Sequence, residues 1–134
     1  MTPEDVLVNY IKEMNLWEHE CAQRDQNASE GHISHDAAAK EGMKKLQPIL
    51  DKYCSQRNEE PREFDYSIPP SYDPENEKVV EKKELSAVVV EIRTEEGHRH
   101  RDRYIYRLAI ENGEWKICEK YLLAHDGELV PANL

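Results

Sequence analysis

The stretch from Asp102 to Leu123, DRYIYRLAIENGEWKICEKYLL, restricts the fold more than any other part of the chain. Tyr104, Tyr106, Leu108 and Ile110 alternate with Arg103, Ile105, Arg107, Ala109 and Glu111. A period of two is that of a half-buried strand. Asn112-Gly113 supplies two residues that tolerate positive φ, as a two-residue hairpin loop requires. The return strand sets Trp115, Ile117, Glu119 and Tyr121 on one face and Lys116, Cys118, Lys120 and Leu122 on the other. An antiparallel hairpin with one apolar face needs something to cover it, and the rest of the chain must supply that cover.

The N-terminal third reads as helix. Thr2 can cap, Pro3 suits the first helical position, and Glu4 and Asp5 favour the positive end of the helix dipole. Leu7, Tyr10, Ile11, Met14, Trp17 and Cys21 then recur at steps of three and four, which places them on one face of a helix reaching about Asn27. Gly31 ends that pattern and Ser34 can cap a second helix. Ala39, Met43, Leu46, Leu50 and Tyr53 form its expected apolar face, ending near Cys54. Pro48 removes a backbone donor there and is expected to kink or split this helix near Gln47.

Ser55 to Asn76 is rich in proline and charge, with Pro61, Pro69, Pro70 and Pro74. Phe64, Tyr66 and Ile68 alternate, so Arg62 to Ile68 is read as a short edge strand inside a connector that packs or serves as a binding loop. Asp73-Pro74 favours a turn. Glu77 to Glu81 is read as a strand, Lys82 to Leu85 as its turn, and Ser86 to Thr94 as a second strand through Val88, Val90 and Ile92. After Leu123 the tail HDGELVPANL is expected to end as coil. Two helices followed by about four to five antiparallel strands make an α+β architecture, in a single domain over residues 1–134.

Charge excludes some function classes. The formal net charge is −10, and the outer face of the first helix is read as carrying Glu4, Asp5, Glu13, Glu18, Glu20 and Asp25 against only Lys12 and Arg24, a balance of −5 from Met1 to Glu30. Nucleic-acid binding needs clustered Lys and Arg, so it is disfavoured. An acidic balance suits a basic protein partner, although solubility alone also explains it. Cys21, Cys54 and Cys118 are widely spaced and form no CxxC pair, as expected of free thiols in a reducing cytosol. The N-terminus MTPEDVLVNY has neither a basic region nor a long apolar run, so no signal peptide or membrane span is read there. The expected location is cytoplasmic.

A helix carrying Trp17-Glu18 and Cys21, a second ending Lys52-Tyr53-Cys54, then Pro69-Pro70-Ser71-Tyr72-Asp73-Pro74-Glu75, and a hairpin with Asn112-Gly113-Glu114-Trp115-Lys116-Ile117 together resemble the nuclear-transport-factor-2-like fold. Within it the chain is similar to the immunity proteins of bacterial polymorphic toxin systems. The resemblance implies a curved antiparallel sheet wrapped around the helices as a cone, often with an apolar cavity at the open end. It also implies a protein made beside a toxin that binds and blocks it in the producing cell or its kin. No catalytic residue, cofactor or metal is carried over with it. A homodimer in which the sheets of two copies pair face to face, as sheets of this fold often do, is a further option.

Three constellations can carry chemistry. Asp73, Glu75 and Glu77, with Asp126 and Glu128 near the end, could meet the basic surface of a toxin by matching its Arg and Lys; each could equally be a solvated charge. Tyr10, Trp17, Tyr53, Tyr104, Tyr106 and Trp115 could line a cone cavity. An isomerase or cyclase working there would need a buried acid or His as base, and Asp65 beside Phe64 and Tyr66 is the one acid the sequence sets near aromatics. The plainer reading makes the aromatics core and Asp65 solvent-facing. His98 and His100 share one side of a strand, but no third ligand stands at suitable spacing, so no metal site is assigned. The favoured function is stoichiometric toxin binding without catalysis, and the alternative is a small-molecule-binding or isomerase-type enzyme.

Overall fold

The computed structural model describes residues 1–55, 71–97, 102–132 and 134. Helices α1 (Pro3–Ser29) and α2 (His35–Tyr53) precede strands β1 (Glu77–Ser86), β2 (Val89–Glu96), β3 (Arg103–Glu111), β4 (Glu114–Leu123) and β5 (Leu129–Ala132). The strands form one antiparallel sheet in sequence order, β1-β2-β3-β4-β5. The expected α+β class is what the chain adopts. The proposed strand over Arg62 to Ile68, with Asp65, and the His98–Arg101 run lie outside the described residues.

Helix α1 begins as its sequence predicts. The Thr2 hydroxyl accepts the Asp5 amide at 3.1 Å, and the Asp5 carboxylate accepts the Thr2 amide at 3.4 Å, closing a reciprocal cap. The expected stripe is buried, with Leu7, Tyr10, Ile11, Met14, Trp17 and Cys21 all inside. Gly31, at φ +83°, takes the left-handed conformation that ends the helix.

Helix α2 departs from expectation in two ways. Pro48 neither splits nor ends it, and the helix runs on to Tyr53. Its buried positions are Ala38, Gly42, Leu46 and Tyr53, while Met43 is exposed. Leu46 and Tyr53 face inward as expected, while in the first half of the helix Ala38 and Gly42 take the inward places expected of Ala39 and Met43. The reason is close helix contact, since the Trp17 indole nitrogen donates to the Gly42 carbonyl at 2.9 Å.

The sheet also differs in three places. The turn read at Lys82–Leu85 is strand, and the reversal falls at Ala87-Val88. The tail is not all coil, because β5 pairs with β4 from Lys120 to Leu123. Pro131 is tolerated there because β5 is an edge strand, where a missing amide breaks no inner ladder.

The third difference matters most. Arg107 pairs with Glu119, but the next residue, Leu108, pairs with Ile117. Cys118 is therefore an extra residue on β4, a β-bulge. Past it the alternation changes sense. Trp115 and Ile117 face the helices as read, but Lys120 and Leu122 do so next, and Glu119 and Tyr121 turn outward beside Arg107 and Ile105. The core joins α1, Leu46 and Tyr53 of α2, and Val90, Ile92, Tyr106, Leu108 and Ile117 of the sheet. The end of α2 is fastened to β4 by the Ser55 amide on the Ile117 carbonyl at 2.8 Å. The Lys116 ammonium also donates to the Asp51 and Lys52 carbonyls at 3.2 and 2.7 Å.

Leu108 is fully buried at the centre of this core. Leu108→Ala is expected to lower stability by about 2–5 kcal/mol in urea unfolding, while Ile105→Ala on the outer face costs clearly less.

Candidate functional site

The segment entering β1 is held from below by one carboxylate. Glu18 of α1 is 1% exposed, and it accepts the Ser71 and Tyr72 amides at 3.1 and 3.0 Å and the Ser71 hydroxyl at 3.1 Å. Asn15, one turn earlier, donates to the Tyr72 carbonyl at 2.7 Å. Tyr72 is thereby set edge-on to Tyr10, with centroids 5.5 Å apart. Burying a carboxylate is costly unless donors satisfy it, and here backbone amides do so.

Asp73 follows as the turn residue its sequence suggested. Its carboxylate accepts the Glu75 amide at 3.1 Å and the Asn76 side chain at 2.6 Å, and its carbonyl accepts the Glu77 amide at 2.8 Å. This turn aims Glu77 inward, where it is 6% exposed. One Glu77 oxygen accepts the Thr94 hydroxyl at 2.6 Å and the Tyr106 hydroxyl at 3.1 Å. Burial raises the Glu77 carboxyl above its ordinary value, and the two donors and the charge of Lys120 pull it partly back. Tyr106, buried beside that carboxyl, is held well above its ordinary value by desolvation first and by Glu77 second.

Lys120 completes the cluster. It is 9% exposed, and its ammonium lies 4.4, 4.5 and 5.4 Å from the ring centroids of Tyr72, Tyr104 and Tyr106. Each such contact contributes about 0.5–2 kcal/mol as the cation leaves water. The result is a caged cation beside a buried acid. Glu77 is a buried acid, but its position is fixed by two donors and a cation, which suits anchoring β1 to the body.

The residues singled out in the sequence distribute unevenly. In an antiparallel meander the start of β1, the end of β2, the start of β3, the end of β4 and the start of β5 share one end of the sheet. Asp73 and Glu75 in the turn before β1, and Asp126 and Glu128 in the turn after β4, therefore stand on one rim. Glu75, Asp126 and Glu128 are exposed there, and Asp126 accepts the Glu128 amide at 3.0 Å. Glu77 departs from the surface group expected of it, because the Asp73 turn aims its side chain into the interior. The same end of the sheet also carries Glu95, Glu96 and Asp102. Of the aromatics, Tyr10, Trp17, Tyr53 and Tyr106 are buried in the core, and Tyr104 and Trp115 pack half-buried against it.

Glu18, expected on the outer face of α1, is instead buried because the Ser71 and Tyr72 amides satisfy it, and Thr94 and Lys120 are buried polar members that the sequence does not single out. The sequence sets Lys120 with Lys116, Cys118 and Leu122, opposite the face of Trp115 and Ile117, and the bulge at Cys118 that turns it inward leaves no mark in the periodicity. Among the thiols, Cys21 and Cys54 are buried and Cys118 is half-buried. Burial pushes the Cys21 thiol up to about 11, so it is neutral and unreactive near pH 7.

The cluster has a definite pH signature. The folded Glu77 value lies above the ordinary value of 4.5, so the folded protein holds this proton more tightly than the unfolded chain. Its contribution to stability is complete below 4.5 and is lost as pH rises through the folded value. Urea unfolding at several pH values should show this loss steepened in Lys120→Met, which removes the compensating cation, and abolished in Glu77→Gln. At neutral pH Lys120→Met should cost on the order of 3–5 kcal/mol, the penalty of a buried charge without its partner.

Among the described residues no helix is long and apolar enough to cross a membrane. No curated protein and no solved structure matches the chain. The family model for NTF2 fold immunity proteins matches residues 2–129. That span takes in both helices, the Glu18-held turn, the Glu77–Lys120 cluster and the start of β5, and on this match the chain belongs to the NTF2 fold immunity protein family.

Proposed function

We propose that this chain is a cytoplasmic bacterial protein that neutralises a cognate polymorphic toxin by binding it one to one, without catalysis or cofactor. Membership of the immunity family over residues 2–129 carries the reading. It takes residues 1–134 as one nuclear-transport-factor-2-like unit. The partner is a protein toxin with a basic surface, and neither nucleic acid nor membrane is bound. The contact is assigned to the acidic rim, through Asp73, Glu75, Asp126 and Glu128. Three of these are exposed, and the chain as a whole carries a net charge of −10. Such a rim speeds encounter with a basic surface and makes that encounter sensitive to salt. Glu77 takes part indirectly, by fixing the strand that presents the rim.

The toxin domain encoded beside the gene should stop growth when expressed alone, and co-expression of this protein should restore growth with a one-to-one complex on purification. Toxicity with neither rescue nor complex sinks the pairing. Reversing Glu75, Asp126 and Glu128 to Lys should slow association at low salt at least about tenfold and flatten its dependence on ionic strength. An unchanged rate would remove the rim from the interface while leaving the immunity reading intact.

A further inference from the structure

The two edges of the sheet are treated differently. On the β4 side, β5 pairs along Lys120 to Leu123, and Cys54 and Ser55 bridge to Ile117 below it. On the other side β1 ends the strand order, and among the described residues nothing pairs beyond it. From Lys78 to Ser86 every residue of β1 is exposed, including Val79, Val80 and Leu85 at 36, 46 and 44%. A ten-residue strand without proline, with its outer amides and carbonyls unpaired by the sheet, is a template for another strand.

Its charges select which strand. Between irregularities at Val79/Glu81 and Glu84/Ser86 the ladder is regular. Lys82 lies opposite the buried Ile92 on the inner face, and Glu81 and Lys83 lie opposite Arg93 and Glu91 on the outer face. The outer row Lys83, Glu91, Arg107, Glu119 alternates in sign, with Arg107 bonded to Glu91 at 2.7 Å and 3.6 Å from Glu119. The next outer row opens with the opposite sign, Glu81 lying 3.5 Å from Arg93. A two-fold axis at Lys82 would set Glu81 of each copy against Lys83 of the other. Each charged row would then cross the junction without a like-charge neighbour. The one like pair, Lys82 against Lys82, falls on the inner face, where each ammonium lies 3.4 Å from its own Glu4 carboxylate.

We infer that β1 pairs antiparallel with β1 of a second copy about Lys82, joining the two sheets into one. The inference does not depend on the immunity role. Strand-to-strand contact alone falls short of the roughly 1,200–2,000 Å² of a stable interface, so the pair forms in the micromolar range.

Sedimentation velocity between about 1 and 500 μM tests it. The wild type should shift from monomer to dimer. Lys83→Glu and Glu81→Lys, both at exposed positions, should each weaken self-association at least about tenfold, because each sets like charges together twice. An equal mixture of the two variants should dimerise again, since each site then regains opposite charges. Lys82→Cys, at the axis, should oxidise to a covalent dimer while Lys78→Cys does not. The inference is overturned by a wild type that stays monomeric throughout, which would mean that the lysines and irregularities of β1 guard the edge. It is also overturned by single variants that dimerise as the wild type does, or by a mixture that stays monomeric.

Discussion

The extra residue at Cys118 is the constraint on which much of the interior depends. Before it, β4 contributes Trp115 and Ile117 to the helix-facing side, and after it β4 contributes Lys120. A one-residue slip in a strand exchanges every later side chain between faces. Without the bulge Glu119 would enter the core beside Tyr106, where Glu77 already lies. With it, a cation enters instead, and the buried Glu77 has a charge of opposite sign nearby. The bulge thus decides the sign of the charge buried under the sheet.

That interior fastens the proline-rich connector to the body. Glu18 holds the backbone at Ser71 and Tyr72, Tyr72 covers Lys120, Asp73 shapes the turn, and Glu77 ties β1 to Thr94 and Tyr106. Each buried acid has donors supplied by elements distant in sequence. Such a network specifies one arrangement, because a displaced member leaves a desolvated charge unsatisfied. The exposed acids Glu75, Asp126 and Glu128 stand at the end of the sheet that this network fixes.

The charged surfaces of the molecule are separated. The turns before β1 and after β4 carry the exposed acids Glu75, Asp126 and Glu128, with Lys78 and Arg103 bonded to the Pro74 and Ala124 carbonyls beside them. The edge of β1 carries alternating charge and exposed valines, a different kind of surface. The helices cover one face of the sheet, and the other carries a ladder of ion pairs built on Arg93 and Arg107. Exposed pairs of this kind contribute at most about 1 kcal/mol each, so the ladder adds little to stability.

Local chemistry made much of the fold legible. The Thr2-Pro3 cap, the stripe from Leu7 to Cys21, the Asp73-Pro74 turn and the Asn112-Gly113 hairpin each follow from short-range sterics, hydrogen bonding and periodicity, and each is found where the residues place it. Tertiary contact decided the rest. The inner stripe of α2 follows Gly42 because Trp17 packs there, the β1 turn lies beyond Leu85 because β2 pairs the whole of β1, and the tail becomes β5 because β4 offers it an edge. Lys120, Glu77 and Glu18 could not be read as one system, since the hydrogen bonds and charges that make their burial tolerable come from residues up to 54 positions apart. Sequence periodicity determines which side chains can share a face. Only the pairing register, altered by one residue at Cys118, determines which face meets the core.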